Sequence, residues 1–255
     1  MALKEDHPIH VGIVLDFETS GLNCKKNACT QLAMQAVRLD TFEITGQYMN
    51  YFYPYCKQDS AWEKRKTLKN KRELEAATSG ESMDYEPAAL KYSAITMDML
   101  YKSGIDLKTI ALDVIDFAIK HTITMSKQAK PVIIGQNITY DIGFLQQLMN
   151  YAGLIKEFEK TFAGTTDFYG NFQPTYIDTI QLGRLCFAND SSVTSYKLEL
   201  IAEKLGVELV DAHDALADVM ATLNVMIVYS QRMRCTNNAS IQLLSTDKTR
   251  KHFKI

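Results

Sequence analysis

The 255 residues contain no apolar run near the length of about 20 that a membrane helix needs, which excludes a helical transmembrane span. The opening stretch MALKEDHPIH lacks the basic-then-apolar layout of a secretory leader. Cysteine is scarce and unpatterned: Cys24, Cys29, Cys56, Cys186 and Cys235 are odd in number, irregularly spaced and without a CxxC pair. That excludes a disulfide framework and a zinc knuckle, and it places the chain by expectation in a reducing, cytoplasmic compartment. Positive charge is not in excess either. The formal net charge is -2, so no global basic signal advertises a nucleic-acid partner. A protein that holds cations at its site can nevertheless be acidic overall and meet a polyanion. No internal repeat is visible.

What is present is the balance of a soluble globular protein, with 46% hydrophobic and 23% charged residues. The length suits one domain with an insertion better than two independent domains. Val11 to Leu15 is a short β-rich apolar run closed by TSGLN, a buried strand and its turn. QLAMQAVRLD and GQYMNYFYPY alternate as strands, joined through DTFEITG. Residues 57–86 break this rhythm. They are charged and poor in large apolar residues, and they read as an insertion made of an exposed helix and a loop. Its cations Lys57, Lys64, Arg65, Lys66, Lys69, Lys71 and Arg72 are interleaved with acids and Trp62, as on a solvated mixed-charge helix. A phosphate-tracking surface is the alternative. Helices follow at TMDMLYKS, capped by Thr96, and at the segment after Asp106, where Ile110, Val114, Phe117 and Ala118 recur at helical spacing. KPVIIGQN is a buried strand, TYDIGFLQQLMNYAG a helix ending at Gly153, and PTYIDTIQLGRLCF a strand and then a helix. SYKLELIAEKLGV and HDALADVMATLNVMIVYSQRM are two more helices. The expected boundaries are a domain over 8–232 and a tail or extension over 233–255. The element order predicts an α/β fold with a mixed sheet, its first three strands antiparallel and its later ones parallel, flanked by helices.

Three acidic places stand out. Asp16 and Glu18 end the first strand one residue apart, so both project from the same face. Two like charges there are explained by solvent exposure or by a cation, and Mg²⁺ takes hard oxygen ligands of this type. Asp141 shares the inward helical stripe of Phe144, Leu145 and Leu148; a first-turn acid favoured by the helix dipole is the plainer alternative. Asp218 shares a face with Ala221, Thr222 and Val225, and His213 precedes it by five residues. Asp214 reads as a helix N-cap without a metal role, and Asp178 as another. Phe17 falls on the opposite face of the strand from the two acids and reads as core.

Taken together, the motifs resemble those of the DEDDh (DnaQ-like) 3′–5′ exonucleases, on an RNase H-like fold. DFETSGL, with Asp16 and Glu18, resembles the first motif. NITYDIGFL, with Asn137 and Asp141, resembles the second. HDALAD, with His213 and Asp218, resembles the third in the subgroup that uses histidine, because Asp214 stands where the tyrosine subgroup has Tyr. The resemblance covers most of residues 10–230 and is nearest to the proofreading epsilon-subunit-like branch of bacterial DNA polymerase III. Gln136 and Ser93 stand where the family commonly has His.

The resemblance implies hydrolysis of terminal phosphodiesters from the 3′ end of single-stranded nucleic acid, releasing nucleoside 5′-monophosphates. It implies two divalent cations, Mg²⁺ or Mn²⁺, held by Asp16, Glu18, Asp141 and Asp218, with His213 as general base. It places Thr19, Gly21, Leu22 and Asn137 around the terminal nucleotide and adds a DNA polymerase partner, with no role for a membrane. Two rivals remain open on the sequence: an RNA-trimming enzyme of the same family, and a silent nucleic-acid-binding or polymerase-docking module. The second has no need of all five motif residues.

Overall fold

The computed structural model describes residues 10–58, 80–123, 129–209 and 213–234. A five-stranded sheet is built from β1 (Val11–Thr19), β2 (Cys29–Arg38), β3 (Ile44–Tyr51), β4 (Val132–Gly135) and β7 (Tyr176–Asp178), in the order β3-β2-β1-β4-β7. The pairs β1–β2 and β2–β3 are antiparallel, whereas β1–β4 and β4–β7 are parallel. This is the mixed sheet expected from the element order. Between β3 and β4 lie α1 (Pro87–Tyr92), α2 (Met97–Ser103) and α3 (Leu107–His121). Beyond β4 come α4 (Thr139–Ala152), α5 (Ile155–Thr161) and a hairpin of β5 (Gly164–Thr166) and β6 (Phe172–Pro174). Finally α6 (Thr179–Cys186) follows β7, then α7 (Leu198–Leu205) and α8 (Ala215–Arg234). No helix among the described residues is long and apolar enough to cross a membrane.

Helix boundaries follow local chemistry. Thr96 accepts from the Met99 amide at 3.2 Å, and Asp106 accepts from Lys108 and Thr109 at 3.1 and 3.0 Å, which satisfies amides that have no partner within the helix. Gly153 ends α4 at φ 74, a left-handed turn that glycine enters without a Cβ clash. Three elements have no counterpart in the sequence reading: α1, α5 and the β5–β6 hairpin. The two helices are six and seven residues long and each hairpin strand only three. That is too short for a period to register, and their stability comes from tertiary contacts. Phe158 of α5 and Phe172 of β6, for example, meet edge to face at 5.1 Å.

The sheet separates two apolar layers. Ile13, Leu15 and Phe17 point from β1 into the larger one, with Ile110 and Val114 of α3 and Phe144 and Leu148 of α4. Val14 points to the other side, where it joins Ala33, Val37 and Ile134 against Val219, Leu223 and Met226 of α8. A third cluster seats Ile201 of α7 and Phe187 against Val225 and Tyr229 of α8. The alternation along β1 therefore assigns Asp16 and Glu18 to the α8 face and Phe17 to the α3–α4 face. Of the expected insertion, residues 59–79 lie outside the described part, so six of its seven cations and Trp62 do too. Lys57 lies within it and pairs with Glu81 at 3.1 Å. The last turn of α8 carries Arg234, whose guanidinium donates to the Leu39 carbonyl at 3.3 Å and lies over the Phe42 ring. Residues 235–255 of the expected tail are outside the described part.

Candidate active site

Three strand and helix ends converge on one place: the carboxyl end of β1, the start of α4 and the start of α8. One carboxylate oxygen each from Asp16, Glu18 and Asp218 lies within 4.8 Å of the others. Asp16 and Glu18 share this face because the strand alternates, and α8 packs directly over it. The register of α8 is set by a polar clasp. Gln31 of β2 is buried, and its amide donates to Asp214 Oδ2 at 3.0 Å while its oxygen accepts from the Ala215 amide at 3.2 Å. Asp214 Oδ1 caps the helix, accepting from the Leu216 and Ala217 amides at 3.1 Å each. Asp214 is thus the expected N-cap, and one turn later Asp218 faces the β1 acids.

Asp141 comes from the opposite side. It is buried on α4, and its Oδ1 accepts from the Phe17 amide at 3.0 Å. β1 continues to Thr19, beyond its last paired position on β4, Val14, so its later amides on that edge leave the ladder. Asp141 supplies the acceptor that the Phe17 amide would otherwise lack. Asp141 therefore meets the open edge of β1, tied to the backbone between Asp16 and Glu18.

The electrostatics show what the arrangement costs without a cation. Glu18 is pushed up to about 9, first by burial and then by Asp16, Asp218 and Asp214. Asp16 is raised well above the usual carboxylate range by burial, then by Asp218 and Asp214. Asp141 is raised by burial and by Asp16, against the pull of the Phe17 amide. Asp218 is pushed up to about 6 by burial, with His213 opposing through its charge and its backbone. A donor set of carboxylate oxygens alone suits a hard divalent cation such as Mg²⁺ or Mn²⁺. These residues fit one.

The shifts have a sign that can be tested. All these acids titrate higher in the folded chain than near 4, their ordinary value. The folded state then binds more protons than the unfolded state, and stability falls as pH rises from about 4 toward 9. A cation that favours the ionised carboxylates offsets the loss. Thermal melts in EDTA are expected to drop between pH 5.5 and 8.5, and the rise in Tm on adding Mg²⁺ or Mn²⁺ to grow over the same interval. A cation-induced rise that shrinks with pH would contradict the assignment.

His213 stands at the rim, half-buried, with its Nε2 4.0 Å from Glu199 Oε1 of α7 and its ring against Tyr92. Its φ of 76 is left-handed. The remaining expected residues gather around the β1 turn. Thr19 is buried and donates to the Gly21 carbonyl at 2.9 Å, and its Oγ1 lies 2.6 Å from the Tyr140 hydroxyl, which reaches the same carbonyl at 3.0 Å. A Cβ at Gly21 would fall on the Asn27 amide and the Glu86 carboxylate, so only glycine fits the turn. Leu22, 84% exposed, projects from it into solvent. Asn137 is exposed in a left-handed turn at φ 54, a conformation asparagine tolerates. Its amide donates to Asp178 Oδ1 at 3.1 Å, and the same oxygen caps α6 through the Ile180 amide at 2.9 Å. Tyr140, Gln31, Tyr92 and Glu199 belong to the site's framework and were missed in the sequence. Only Gln31 carried a signal, as one of three buried polar residues, with Thr30 and Gln35, on a strand that is buried almost throughout.

The model describing the exonuclease family RNase_T matches residues 13–226, and the chain belongs to that family. Among solved structures, it is similar to E. coli Exonuclease I in complex with a dT13 oligonucleotide: TM-score 0.60, 18% identity, covering 88% of this chain and 42% of that one. A moderately thermophilic Exonuclease I from Methylocaldum szegediense gives a TM-score of 0.58 and 20% identity over 89% of this chain and 41% of that one. Identities this low establish the fold, the RNase H-like arrangement expected above. The chain spans about two fifths of the length of these Exonuclease I chains. No curated protein sequence matches it.

Proposed function

We propose that the chain is a divalent-cation-dependent 3′–5′ exonuclease acting on single-stranded DNA, with an exonuclease domain over residues 8–232. The observation that carries this reading is the convergence of Asp16, Glu18 and Asp218 at the end of β1, with Asp141 at the edge of that strand and His213 at the rim. The family assignment supports the reaction class, and the similarity to an Exonuclease I bound to dT13 supports the single-stranded substrate.

Asp16, Glu18 and Asp218 would hold the cations, with Asp141 completing the charge from α4. Two cations at such a site supply charge stabilisation to the attacking and leaving oxygens of a phosphodiester. Thr19, the Gly21–Leu22 turn and Asn137 receive the terminal nucleotide. The Thr19–Tyr140–Gly21 triangle keeps that turn in one conformation, so that little order remains to be imposed when the substrate arrives. His213 takes the proton from the water that attacks the terminal phosphorus. The bond from phosphorus to the 3′ oxygen of the preceding nucleotide breaks, that oxygen takes a proton from solvent to become the new 3′ hydroxyl, and a nucleoside 5′-monophosphate carrying the water's oxygen leaves. The carboxylates cannot serve as the base while they hold cations, whereas the imidazole of His213 stands at the rim beside them and is the residue type most often used as a general base.

The resemblance of the motifs to the proofreading epsilon-like branch carries the finer proposal of a polymerase partner; the Exonuclease I similarity favours trimming of free single strands. The test is a product ladder from 5′- and 3′-labelled single-stranded DNA and RNA with Mg²⁺ or Mn²⁺. The 5′-labelled DNA is expected to shorten stepwise, and the 3′ label to appear at once as mononucleotide. Release of the 5′ label first would overturn the polarity, and faster loss of RNA would favour the ribonuclease reading.

A further inference from the structure

Tyr92 belongs to none of the carboxylate motifs, yet it is the ring that meets His213. The two ring centroids are 3.9 Å apart with 35° between the planes, close to stacked. On another side Glu199 Oε1 approaches the imidazole Nε2 at 4.0 Å. His213 itself sits at φ 76. A residue with a side chain keeps that conformation where its surroundings enforce it, and such positions gather at functional sites. Here the enforcing groups come from α1 and α7, one on each flank.

The position of Tyr92 is not set by packing beneath α1, since none of that helix's residues is buried. It is set by the segment leading into the helix, which is laced to the turn after β1. The Glu86 amide donates to the Ser20 carbonyl at 2.9 Å, and Asn27 Nδ2 donates to Glu86 Oε1 at 3.0 Å. Ser20 Oγ donates to the Asp84 carbonyl at 2.6 Å, and the Asp84 amide donates to the Lys26 carbonyl at 2.9 Å. Residues 84–92 therefore form a strap. One end is fixed to the turn that follows Asp16 and Glu18, and the other ends on His213. The Tyr92 phenol lies in the field of the same site: partial burial and then the charges of Glu199, Glu18 and Asp218 raise it.

A base delivered from the turn before a helix works only while it is aligned with the water it deprotonates, and misplacement of an ångström costs turnover steeply. A ring stacked on the imidazole stops it from tilting. The strap transmits to His213 the position of the strand end that carries the carboxylates. We propose that Tyr92 is a positioning residue, whose ring holds His213 in register with the Asp16–Glu18–Asp218 cluster. This rests on the exonuclease reading and on His213 as the base. The ring face is what matters; the hydroxyl is dispensable.

The test compares Tyr92→Phe, Tyr92→Leu, His213→Gln and the Leu–Gln double variant of the full chain on a labelled single-stranded DNA oligonucleotide with Mn²⁺. Tyr92 is 66% exposed, so the variants are expected to fold. Phe is expected to keep turnover within about twofold, whereas Leu lowers kcat about tenfold with KM little changed. In the double variant the Leu change is expected to cost nothing beyond His213→Gln, because it acts through that ring. A proton NMR spectrum supplies a readout apart from activity. The His213 ring protons, assigned by their loss in His213→Gln, are expected to be shifted upfield in the wild type and in Phe, but not in Leu. Wild-type turnover in Leu, a loss carried in KM, an additive double variant or an unshifted His213 resonance would each overturn the positioning role alone. A wild-type chain that trims nothing would overturn the exonuclease reading, and the role with it.

Discussion

Replacing Asp16 with Asn is expected to reduce trimming of single-stranded DNA by about three orders of magnitude, the loss of ~4 kcal/mol of transition-state stabilisation. The reason is its place in the cluster. Asp16 lies between Asp218 on one side and the Asp141–Phe17 link on the other; Asp218 raises its pKa, and Asp16 in turn raises that of Asp141. Asn keeps the volume and removes the anion, so the site can hold less positive charge while the fold stays intact. The same change is expected to stabilise the cation-free protein at pH 8, because it deletes a partly buried charge from a group of like charges. Each kcal/mol gained corresponds to about 2–4 °C in Tm for a chain of this size. Activity and melting temperature should therefore move in opposite directions, which an unfolded or misfolded variant cannot do. Excess EDTA is expected to abolish wild-type activity as fully as the substitution does. Persistence of trimming in EDTA would remove the cation from the mechanism.

The second large effect concerns His213. His213→Gln is expected to lower kcat by about 10²- to 10⁴-fold, the usual contribution of a positioned general base. KM and the affinity for Mn²⁺ should change little, since the imidazole is at the rim and is not among the carboxylates proposed to hold the cations, of which Asp16, Glu18 and Asp218 lie closest together. Some loss of the pull on Asp218 will accompany it, because His213 holds that carboxyl down through both its charge and its backbone. The measurement is single-turnover cleavage with the cation saturating, which isolates chemistry from product release. Unchanged turnover would exclude His213 as the base and leave the carboxylate cluster standing.

Much of this site was legible along the chain. Asp16 and Glu18 had to share a face because a strand repeats every two residues, and β1 is a strand to Thr19. Asp141 had to face inward because it sits in register with Phe144, Leu145 and Leu148, all of which are buried. The caps at Thr96, Asp178 and Asp214 were legible too, since a cap satisfies amides two or three residues away. Asp178 does more than its local pattern indicated, because its cap oxygen also takes the Asn137 amide from the neighbouring loop.

The order and type of the long elements and the faces they present followed from sequence alone, because periodicity and capping act over one or two turns; the acids were picked out as a set only by the resemblance of their motifs. Tertiary structure decided how the acids meet around the end of β1. Asp218 joins Asp16 and Glu18 directly since α8 covers their face, while Asp141 arrives from the α4 side and spends one oxygen on the Phe17 amide, 124 residues away in the chain. It decided as well that Gln31 would clasp the start of α8 across 184 residues, and that a short helix carrying Tyr92 would be laced to the β1 turn. Those contacts are set by which surfaces the packed layers bring together, and no local repeat in the chain records them.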